Sequence, residues 1–334
     1  MLYDRELGKE NKEMVPDSKR ENGQYFTRGN CFALSSFREW FESIPNYNKI
    51  TLIEPFAGCG NIPKLMKEAG YTNKWAMFDL YPQQPHILTR DSIRGCPSGD
   101  CIITNPPYLA RNSAKRRGLK FPDTKYDDLY KLALERMLDS ALYVAAIIPE
   151  SFITSGLFLN RVSRIISLKI KMFDDTDCPV CLALFSPADE PVVYSDDAIV
   201  GSIAELRRHL PASQATMGLW SFNDSAGDIG LIAIDDTRTA SIRFVRGDSI
   251  PSNIVKSSSR SITRVSGDGT YSIDGIIASA NDILGKLRKD TQDVFLTAFK
   301  GIRRDGMYRR RLDFGLARRI LDVAKNINTN AGVS

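Results

Sequence analysis

The segment Asn105 to Tyr108, Asn-Pro-Pro-Tyr, combines residue types that could support transfer of a group to an amine. It follows the apolar run 101–104, and its two prolines stop that run and hold a rigid turn. Prolines have no N–H to donate, so the turn presents mainly acceptors, the Asn105 amide oxygen and the Pro106 carbonyl. Two acceptors fixed on a planar amine stabilise the positive charge that develops when its lone pair attacks. Tyr108 adds an aromatic face on which a base can stack.

A second loop, Glu54 to Gly60, follows the apolar run 50–53 and leads into a helical pattern, which is where a doubly wound fold binds its ligand. A dinucleotide fingerprint would need a third glycine at the position of Pro63, and Glu54 places a carboxylate beside the loop. The loop therefore favours a ligand with ammonium and sulfonium charge. Asp79, at the end of the next predicted strand, is placed to accept both hydroxyls of a ribose. This combination describes S-adenosylmethionine (SAM).

Basic residues are concentrated at the end of the chain. The net charge is +5, but residues 285–334 carry twelve Lys and Arg against five Asp, which gives +7 there and −2 elsewhere. A neutral body with a basic end predicts an anionic partner, for which nucleic acid is the usual candidate. A solvated charged helix is the alternative. The predicted DNA contacts in this segment, where glycines and aromatic residues interrupt the charge, are Arg303, Arg304, Arg309, Arg310 and Arg311.

The segment 111–120 follows the Asn-Pro-Pro-Tyr turn and holds five basic residues in ten. Its composition predicts a mobile loop that closes over substrate phosphates, and the alternative is a solvated loop. The predicted contacts are Arg111, Lys115, Arg116 and Arg117.

The sequence gives little support for a metal site or for a hydrolase active site. Cys96, Cys101, Cys178 and Cys181 could form a four-thiolate zinc site, but their positions in apolar runs favour small core residues. The two histidines, His86 and His209, lie on unrelated segments, so no Ser-His-Asp arrangement is predicted. We therefore expect no metal.

Short apolar runs alternate with helical patterns in the first half of the chain, which predicts a doubly wound, mostly parallel sheet with helices on both faces. The predicted strands are 50–53, 75–78, 101–104, 141–148, 165–173 and 180–185, and the predicted helices are 62–69 and 126–140. Beyond Ser186 the hydrophobic pattern becomes irregular. Short segments of alternating apolar and polar residues occur at 231–234, 241–245 and 271–277. Two helical patterns close the chain, 281–288 and, after an Asp313 cap, 314–326.

Composition limits the class of protein. The 334 residues are 43% hydrophobic and 25% charged, as in an ordinary globular protein. No uncharged apolar run approaches the roughly 18 to 20 residues that cross a bilayer. The charged N-terminus has no apolar export core, so a cytoplasmic location is expected, with the six cysteines reduced.

Several motifs occur in a fixed order along the chain. They are Tyr25-Phe26-Thr27, Glu54 to Gly60, Asp79, Asp91, Asn105 to Tyr108, and the strand that ends at 147–152. This ordered set resembles the amino-group DNA methyltransferases, specifically their N6-adenine group with a gamma-like arrangement. The resemblance covers roughly residues 22–186. It implies a class I SAM methyltransferase fold with a seven-stranded sheet, a smaller C-terminal α+β domain, and an origin in a prokaryote or phage.

The resemblance also implies roles for individual residues. Thr27 with Phe26 would hold the cofactor carboxylate, Glu54 its amino end and Asp79 its ribose. Asp91 with Ser92 would hold the adenine ring of the cofactor, and Phe152 would pack near the target adenine that is extruded from double-stranded DNA beside Tyr108. The other implied cofactor contacts are Phe56, Ala57, Gly58, Gly60, Leu80 and Asn105.

These observations divide the chain into an N-terminal extension at 1–21, a SAM-binding catalytic domain at 22–186 and a target-recognition domain at 187–334. A monomer is favoured, and a cognate restriction endonuclease is the further partner that the resemblance implies. Three alternatives stay open. The target could be cytosine N4 or an RNA base, it could be a protein glutamine amide, or the chain could be a silent DNA-binding module.

Overall fold

The computed structural model describes residues 27–173, 178–187, 190–212 and 219–330, with no description of the Asn330 side chain. Two compact units emerge. The first comprises the chain up to Phe152 together with Gly156–Ile199, and the second comprises Ile153–Ser155 with the chain from Val200 onward. Within the described residues, no helix is both long and apolar enough to cross a membrane.

A nine-stranded sheet dominates the first unit, with strand order β3-β2-β1-β4-β5-β7-β6-β8-β9. The strands are β1 Leu52–Glu54, β2 Trp75–Asp79, β3 Leu88–Thr89, β4 Gly99–Thr104, β5 Ala141–Pro149, β6 Val162–Ser167, β7 Val180–Phe185, β8 Val192–Ser195 and β9 Ala198–Ser202. Strands β8 and β9 extend the predicted seven strands, so the sheet runs on beyond residue 186.

The sheet is parallel from β3 through β5, and β7 is antiparallel to both of its neighbours, β5 and β6. In its register Ile53 lies opposite Ala76 on one side and Ile102 on the other. From β1 the chain builds outward through β2 and β3, and it then returns to the other side of β1 for β4 and β5. This reversal leaves a crevice at the carboxyl ends of β1 and β4, where such sheets bind ligands. The predicted α/β class is thereby confirmed.

Helices of the first unit are α1 Ser35–Glu42, α2 Asn61–Glu68, α3 Arg111–Arg116 and α4 Leu129–Ser140, with short 3-10 helices at Cys31–Ala33 and Glu150–Thr154. Helix α1 is not among the predicted elements, although Phe37, Trp40 and Phe41 have helical spacing. Their rings pack on one another, and both Phe37 and Phe41 meet Tyr71 edge-on in the core beside the sheet.

Two local expectations differ from the structure. The predicted strand 165–173 ends at Ser167, because only β6 as far as that residue pairs with β7. The predicted alternating segment 271–277 lies largely in a helix that begins at Ile273, where the Ser272 side chain accepts a hydrogen bond from the Gly275 N–H.

The second unit contains a four-stranded antiparallel sheet, a hairpin and three helices. The strands are β10 Ser221–Phe222, β11 Ile229–Ile232, β12 Arg243–Arg246 and β13 Ile262–Ser266 in the order β10-β13-β11-β12, with β14 Thr297–Ile302 and β15 Tyr308–Arg311 as the hairpin. The helices are α5 Ile203–Arg208, α6 Ile273–Thr291 and α7 Phe314–Asn330, with 3-10 helices at Gly247–Ser249 and Ser252–Ile254. Helix α6 packs against α7 and β12, and the predicted Asp313 cap accepts from the Leu316 N–H.

Candidate functional site

A cavity of about 320 Å³ opens at the carboxyl ends of β1, β2 and β4. The structure brings ten of the sequence-predicted residues together in its wall: Thr27, Glu54, Phe56, Ala57, Gly58, Asp79, Leu80, Asp91, Ser92 and Asn105. They come from separate stretches of sequence, and the sheet places them side by side. Phe26 lies outside the described residues.

Glu54 is the last residue of β1 and is only 2% exposed. Among the described residues, its Oε2 atom has no hydrogen-bond partner. Burial, and secondarily the charge of Asp79, raises the pKa of the Glu54 carboxyl well above its usual range. A buried carboxylate without a partner is costly, so this position favours a cationic ligand in the cavity.

Asp79 ends β2 and fixes the loop that faces it. Its Oδ2 accepts a 2.8 Å hydrogen bond from the Gly58 N–H, and its Oδ1 accepts one of 2.8 Å from the Tyr81 N–H. Each carboxylate oxygen has a further lone pair, so both can still accept from ligand hydroxyls. Asp79 therefore shapes the loop and also presents acceptors to the cavity.

The two glycines of this loop, Gly58 and Gly60, lie at different positions relative to the cavity. Gly58 lines the cavity, whereas Gly60 does not and stands at the start of α2. Both have left-handed backbone angles, with φ of 54° and 76°. A side chain at either position would be strained, so the turn from β1 into α2 requires glycine there.

Asp91 and Ser92 form the wall beyond β3. Asp91 Oδ1 accepts from the N–H groups of Ile93 and Arg94 at 3.1 and 3.3 Å, which is an Asx turn. Ser92 is 2% exposed. Its hydroxyl has no hydrogen-bond partner within the described part of the chain, so a polar group could be bound there.

The Asn-Pro-Pro-Tyr turn follows β4 directly. Asn105 Nδ2 donates to Thr27 Oγ1 at 3.3 Å, and the Tyr108 hydroxyl lies 2.5 Å from Asn105 Oδ1 and 2.6 Å from the Ile147 carbonyl oxygen. Pro107 lines the cavity, whereas Pro106 and Tyr108 are not among the lining residues. The Tyr108 ring meets the rings of Tyr130 and Phe173 edge-on.

Phe152 lies apart from this cavity. It is 2% exposed, and its ring packs edge-on against Phe185 of β7 at 5.9 Å between centroids. The structure does not bring Phe152 together with the lining residues.

Residues Arg111–Arg116 of the basic segment form α3 rather than an irregular loop. Arg117 caps the end of this helix, and Gly118 follows with a φ of 66°. The Arg111 guanidinium donates to the carbonyl oxygens of Thr124 and Tyr126 and lies over the Phe121 ring. Arg111 thus holds the chain that follows α3, and the side chains of Lys115, Arg116 and Arg117 are exposed.

Part of the cavity wall consists of residues outside the sequence motifs. These additional lining residues include Tyr81, Ile93, Lys120, Pro122 and Leu129. No sequence motif marks these residues. Lys120, Pro122 and Leu129 reach the site because the segment after α3 folds back toward the Asn-Pro-Pro-Tyr turn, where the Leu129 N–H donates to the Leu109 carbonyl.

The basic C-terminal residues lie mostly on the hairpin β14–β15, and its pleat alternates their directions. Arg310 is 5% exposed, and Arg303 is 7% exposed and forms ion pairs of 2.8 and 2.9 Å with Asp235 and Asp305. The Arg309 Nε donates to the Asp235 carbonyl, and its guanidinium lies over the Phe299 ring. Arg304 is exposed and Arg311 is partly exposed.

Asp235 is the centre of a buried charged cluster in the second unit. Arg288 binds both of its carboxylate oxygens at 2.9 Å, and Arg303 binds one of them at 2.8 Å. Burial acts to raise the pKa of Asp235, but the hydrogen bonds and charge of Arg288, with the N–H groups of Ser241 and Ile242, lower it to about 2. The cluster joins α6 to the segments on either side of it.

The cysteines are all free thiols. Burial raises the pKa of Cys96 to about 11 and also raises the pKa values of Cys101 and Cys181. Within the ranges that the structure describes, no three His, Cys, Asp or Glu side chains could together hold a metal ion.

The strand order and the crevice at β1 and β4 define a doubly wound, mostly parallel α/β fold whose ligand site lies at the carboxyl edge of the sheet. No protein-family model matches the chain, and no curated protein matches it.

The solved structures that are similar to the chain include the following three. A type I restriction-modification methyltransferase subunit from Streptococcus thermophilus has 12% identity and a TM-score of 0.37 over 55% of this chain and 52% of its own. The M protein of the type I restriction enzyme EcoKI has 13% identity and a TM-score of 0.35 over 79% of this chain and 70% of its own. The type IIG restriction endonuclease BpuSI has 14% identity and a TM-score of 0.36 over 53% of this chain and 28% of its own. The chain thus spans about half of the first and under a third of the last, and these distant similarities carry no argument about activity.

Proposed function

We propose that the protein is a SAM-dependent DNA methyltransferase that modifies the N6 amine of an adenine extruded from duplex DNA. The observation that carries this proposal is the presence, in one cavity, of the amide of Asn105 and of a buried Glu54 carboxylate, one oxygen of which has no partner among the described residues. The carboxylate fits a cationic cofactor, and the amide fits an amine that becomes positively charged.

The residues present fit SAM. Glu54 would face its ammonium group, and the two Asp79 oxygens would accept from its ribose hydroxyls. Asp91 and Ser92 would lie near its adenine ring, and Thr27 near its carboxylate. When bound, SAM supplies a methyl group on a sulfonium, which is open to attack by an amine.

The protein side of the reaction needs two acceptors and little water. The Asn105 amide oxygen would accept one amine hydrogen, which favours the pyramidal form and stabilises the developing charge. The Pro106 carbonyl would be the second acceptor, although Pro106 is not among the residues that line the cavity. Leu109, Pro122 and Leu129 give that part of the cavity apolar walls. A strong general base is unnecessary, because the nitrogen loses its proton after it has become cationic. The absence of histidine from the described cavity wall fits this chemistry.

DNA would be held by exposed cations. Lys115 and Arg116 on α3, Arg117 directly after it, and Arg304 on the second unit are exposed, and Arg311 is partly exposed; these cations would contact phosphates. Arg303 and Arg310 are buried, and Arg111 is bonded to backbone carbonyls, so we leave these three out of the proposed interface. Phe152 would have to leave its contact with Phe185 to reach a base, and we leave it out as well.

The test is methyl transfer to unmethylated DNA with labelled SAM, followed by nucleoside analysis. We expect label in N6-methyladenine and a loss of about 100-fold or more in turnover for Asn105→Ala, with SAM binding retained. Label in N4-methylcytosine would replace the adenine assignment. Parallel reactions with RNA and with protein substrates show whether an RNA base or a glutamine amide accepts the methyl group instead. SAM binding without transfer to DNA would overturn the proposal.

A further inference from the structure

The Tyr108 hydroxyl is placed between two oxygen atoms. Its Oη is 2.5 Å from Asn105 Oδ1 and 2.6 Å from the carbonyl oxygen of Ile147. A hydroxyl has a single proton, which can point along only one of these lines. The other pair of oxygens would then face each other at hydrogen-bond distance without a proton between them, which is unfavourable.

A half-turn of the Asn105 amide removes this conflict. The Ile147 carbonyl is part of the backbone and can only accept, whereas the two ends of a primary amide have nearly the same shape and can exchange places. After the half-turn, Nδ2 donates to Tyr108 Oη, with the 2.5 Å separation lengthening by a few tenths of an ångström to the usual N–H···O distance, and the Tyr108 proton points to the Ile147 oxygen. Oδ1 then occupies the position 3.3 Å from Thr27 Oγ1, whose hydroxyl can donate to it.

We propose that Tyr108 is a positioning residue whose hydroxyl, anchored on the Ile147 carbonyl, holds the Asn105 amide with its oxygen toward the cavity. The inference rests on the proposed function, in which that oxygen accepts a hydrogen of the target amine. The opposite sense would present Nδ2, whose hydrogens repel those of an amine. The Tyr108 hydroxyl thus selects the sense of the amide that methyl transfer requires.

The surroundings of the Tyr108 ring support a role for the hydroxyl rather than for the ring face. The ring centroid lies 6.3 Å from that of Tyr130 and 6.4 Å from that of Phe173, both in edge-on contact. The ring is partly buried and does not line the cavity. A stacking platform for a base would need an open face there. Tyr108→Phe keeps these ring contacts and removes only the oxygen.

Steady-state kinetics on the full chain separate the two roles. In Tyr108→Phe we expect kcat to fall about tenfold or more, which corresponds to the loss of about one hydrogen bond, while KM for DNA and Kd for SAM change less than about twofold. The matched control is Tyr130→Phe, which removes a buried hydroxyl from the same aromatic group and should leave kcat unchanged. An unchanged kcat in Tyr108→Phe, or a loss confined to KM for DNA, would overturn the inference.

A second measurement does not depend on methyl transfer. The side-chain NH₂ resonance of ¹⁵N-labelled Asn105 should shift in Tyr108→Phe and remain in place in Tyr130→Phe, because only the first variant removes an oxygen that contacts the Asn105 amide. An unmoved Asn105 resonance would contradict the inference directly. A shifted resonance in a protein that methylates no DNA would leave the amide geometry standing and overturn the proposed function alone.

Discussion

The backbone N–H of Gly58 donates a 2.8 Å hydrogen bond to the Asp79 carboxylate, and this bond ties the loop after β1 to the end of β2. The Tyr81 N–H binds the other carboxylate oxygen at the same distance. The loop is therefore held in place without the ligand. The loop therefore loses its conformational entropy when the protein folds, and ligand binding does not have to order it.

Asp79→Ala should weaken SAM binding strongly. It would remove the two charge-assisted hydrogen bonds that we propose to the ribose, roughly 1.5 to 3 kcal/mol each at most, and it also releases Gly58 from its acceptor. Titration calorimetry measures the change in Kd, and DNA affinity should be nearly unchanged. Asp100→Ala, at an exposed acidic residue of β4, is the matched control. Equal SAM affinity in Asp79→Ala and the parent protein would refute the assignment.

Glu54 should couple SAM binding to pH. Because its pKa is raised in the free protein, part of the population is protonated, and a cationic ligand must displace that proton. SAM affinity should therefore rise as the pH rises toward the pKa of Glu54, and it should level off above that pKa. SAM affinity should be measured below about pH 7, where the α-amino group of SAM stays charged. Glu54→Gln should bind SAM weakly, with no such dependence.

The same residue has a consequence for stability. A carboxyl whose pKa is higher in the folded state stabilises the protein fully below its unfolded pKa, and this contribution is lost as the pH rises through the folded value. Glu54→Gln carries no charge there and should raise the unfolding temperature of the free protein at neutral pH. Thermal unfolding at several pH values without SAM tests this, and a variant less stable than the parent at neutral pH would contradict it.

Asp235 should be one of the most sensitive positions for stability. Asp235→Ala would leave Arg288 and Arg303 buried without their shared partner, at a cost of about 3 to 5 kcal/mol. Asp305→Ala is the control, since that carboxylate binds Arg303 at the surface, and exposed pairs contribute about 1 kcal/mol or less. Denaturant unfolding compares the two variants, and equal losses would mean that burial does not decide the effect.

The pH dependence of the parent protein provides an independent check on Asp235. Its pKa falls from 3.8 to about 2 on folding, so its contribution is present above the unfolded value. That contribution, about 2 kcal/mol, is lost as the pH falls from about 4 toward 2. The acid sensitivity of Asp235→Asn should therefore be smaller than that of the parent in this range.

How much of this could be predicted from sequence depends on how local each signal is. The apolar runs 50–53, 75–78 and 101–104 predict their strands, since buried parallel strands are continuously apolar and are followed by turn residues. The sheet then brings their ends together by topology alone. Lys120 and Pro122 join the same cavity because of the contacts of Arg111 with the Thr124 and Tyr126 carbonyls, and no pattern in the sequence marks such contacts.

The basic C-terminal segment shows a different limit. Counting charge identifies an excess of cations there, but it gives no information on which of them are buried. The alternation along β15 directs Arg310 inward, between Arg309 and Arg311. Arg303 is paired with a carboxylate that lies far away in the sequence, Asp235. The number of available phosphate contacts is therefore smaller than the charge suggests.

That distinction can be measured. If Arg304 and Arg311 contact phosphates, replacing both with Ala should flatten the slope of log affinity against log salt by up to about 1.8, at roughly 0.9 per phosphate, with the unfolding temperature unchanged. Arg310→Ala is the contrasting variant. Because the Arg310 side chain is buried, this variant should have a lower unfolding temperature. Under conditions where the variant is folded, its slope of log affinity against log salt should equal that of the parent protein. An unchanged slope in the double variant would remove the hairpin from the interface. The Lys115→Ala, Arg116→Ala, Arg117→Ala variant would then have to account for the salt dependence, with a decrease of up to about 2.7.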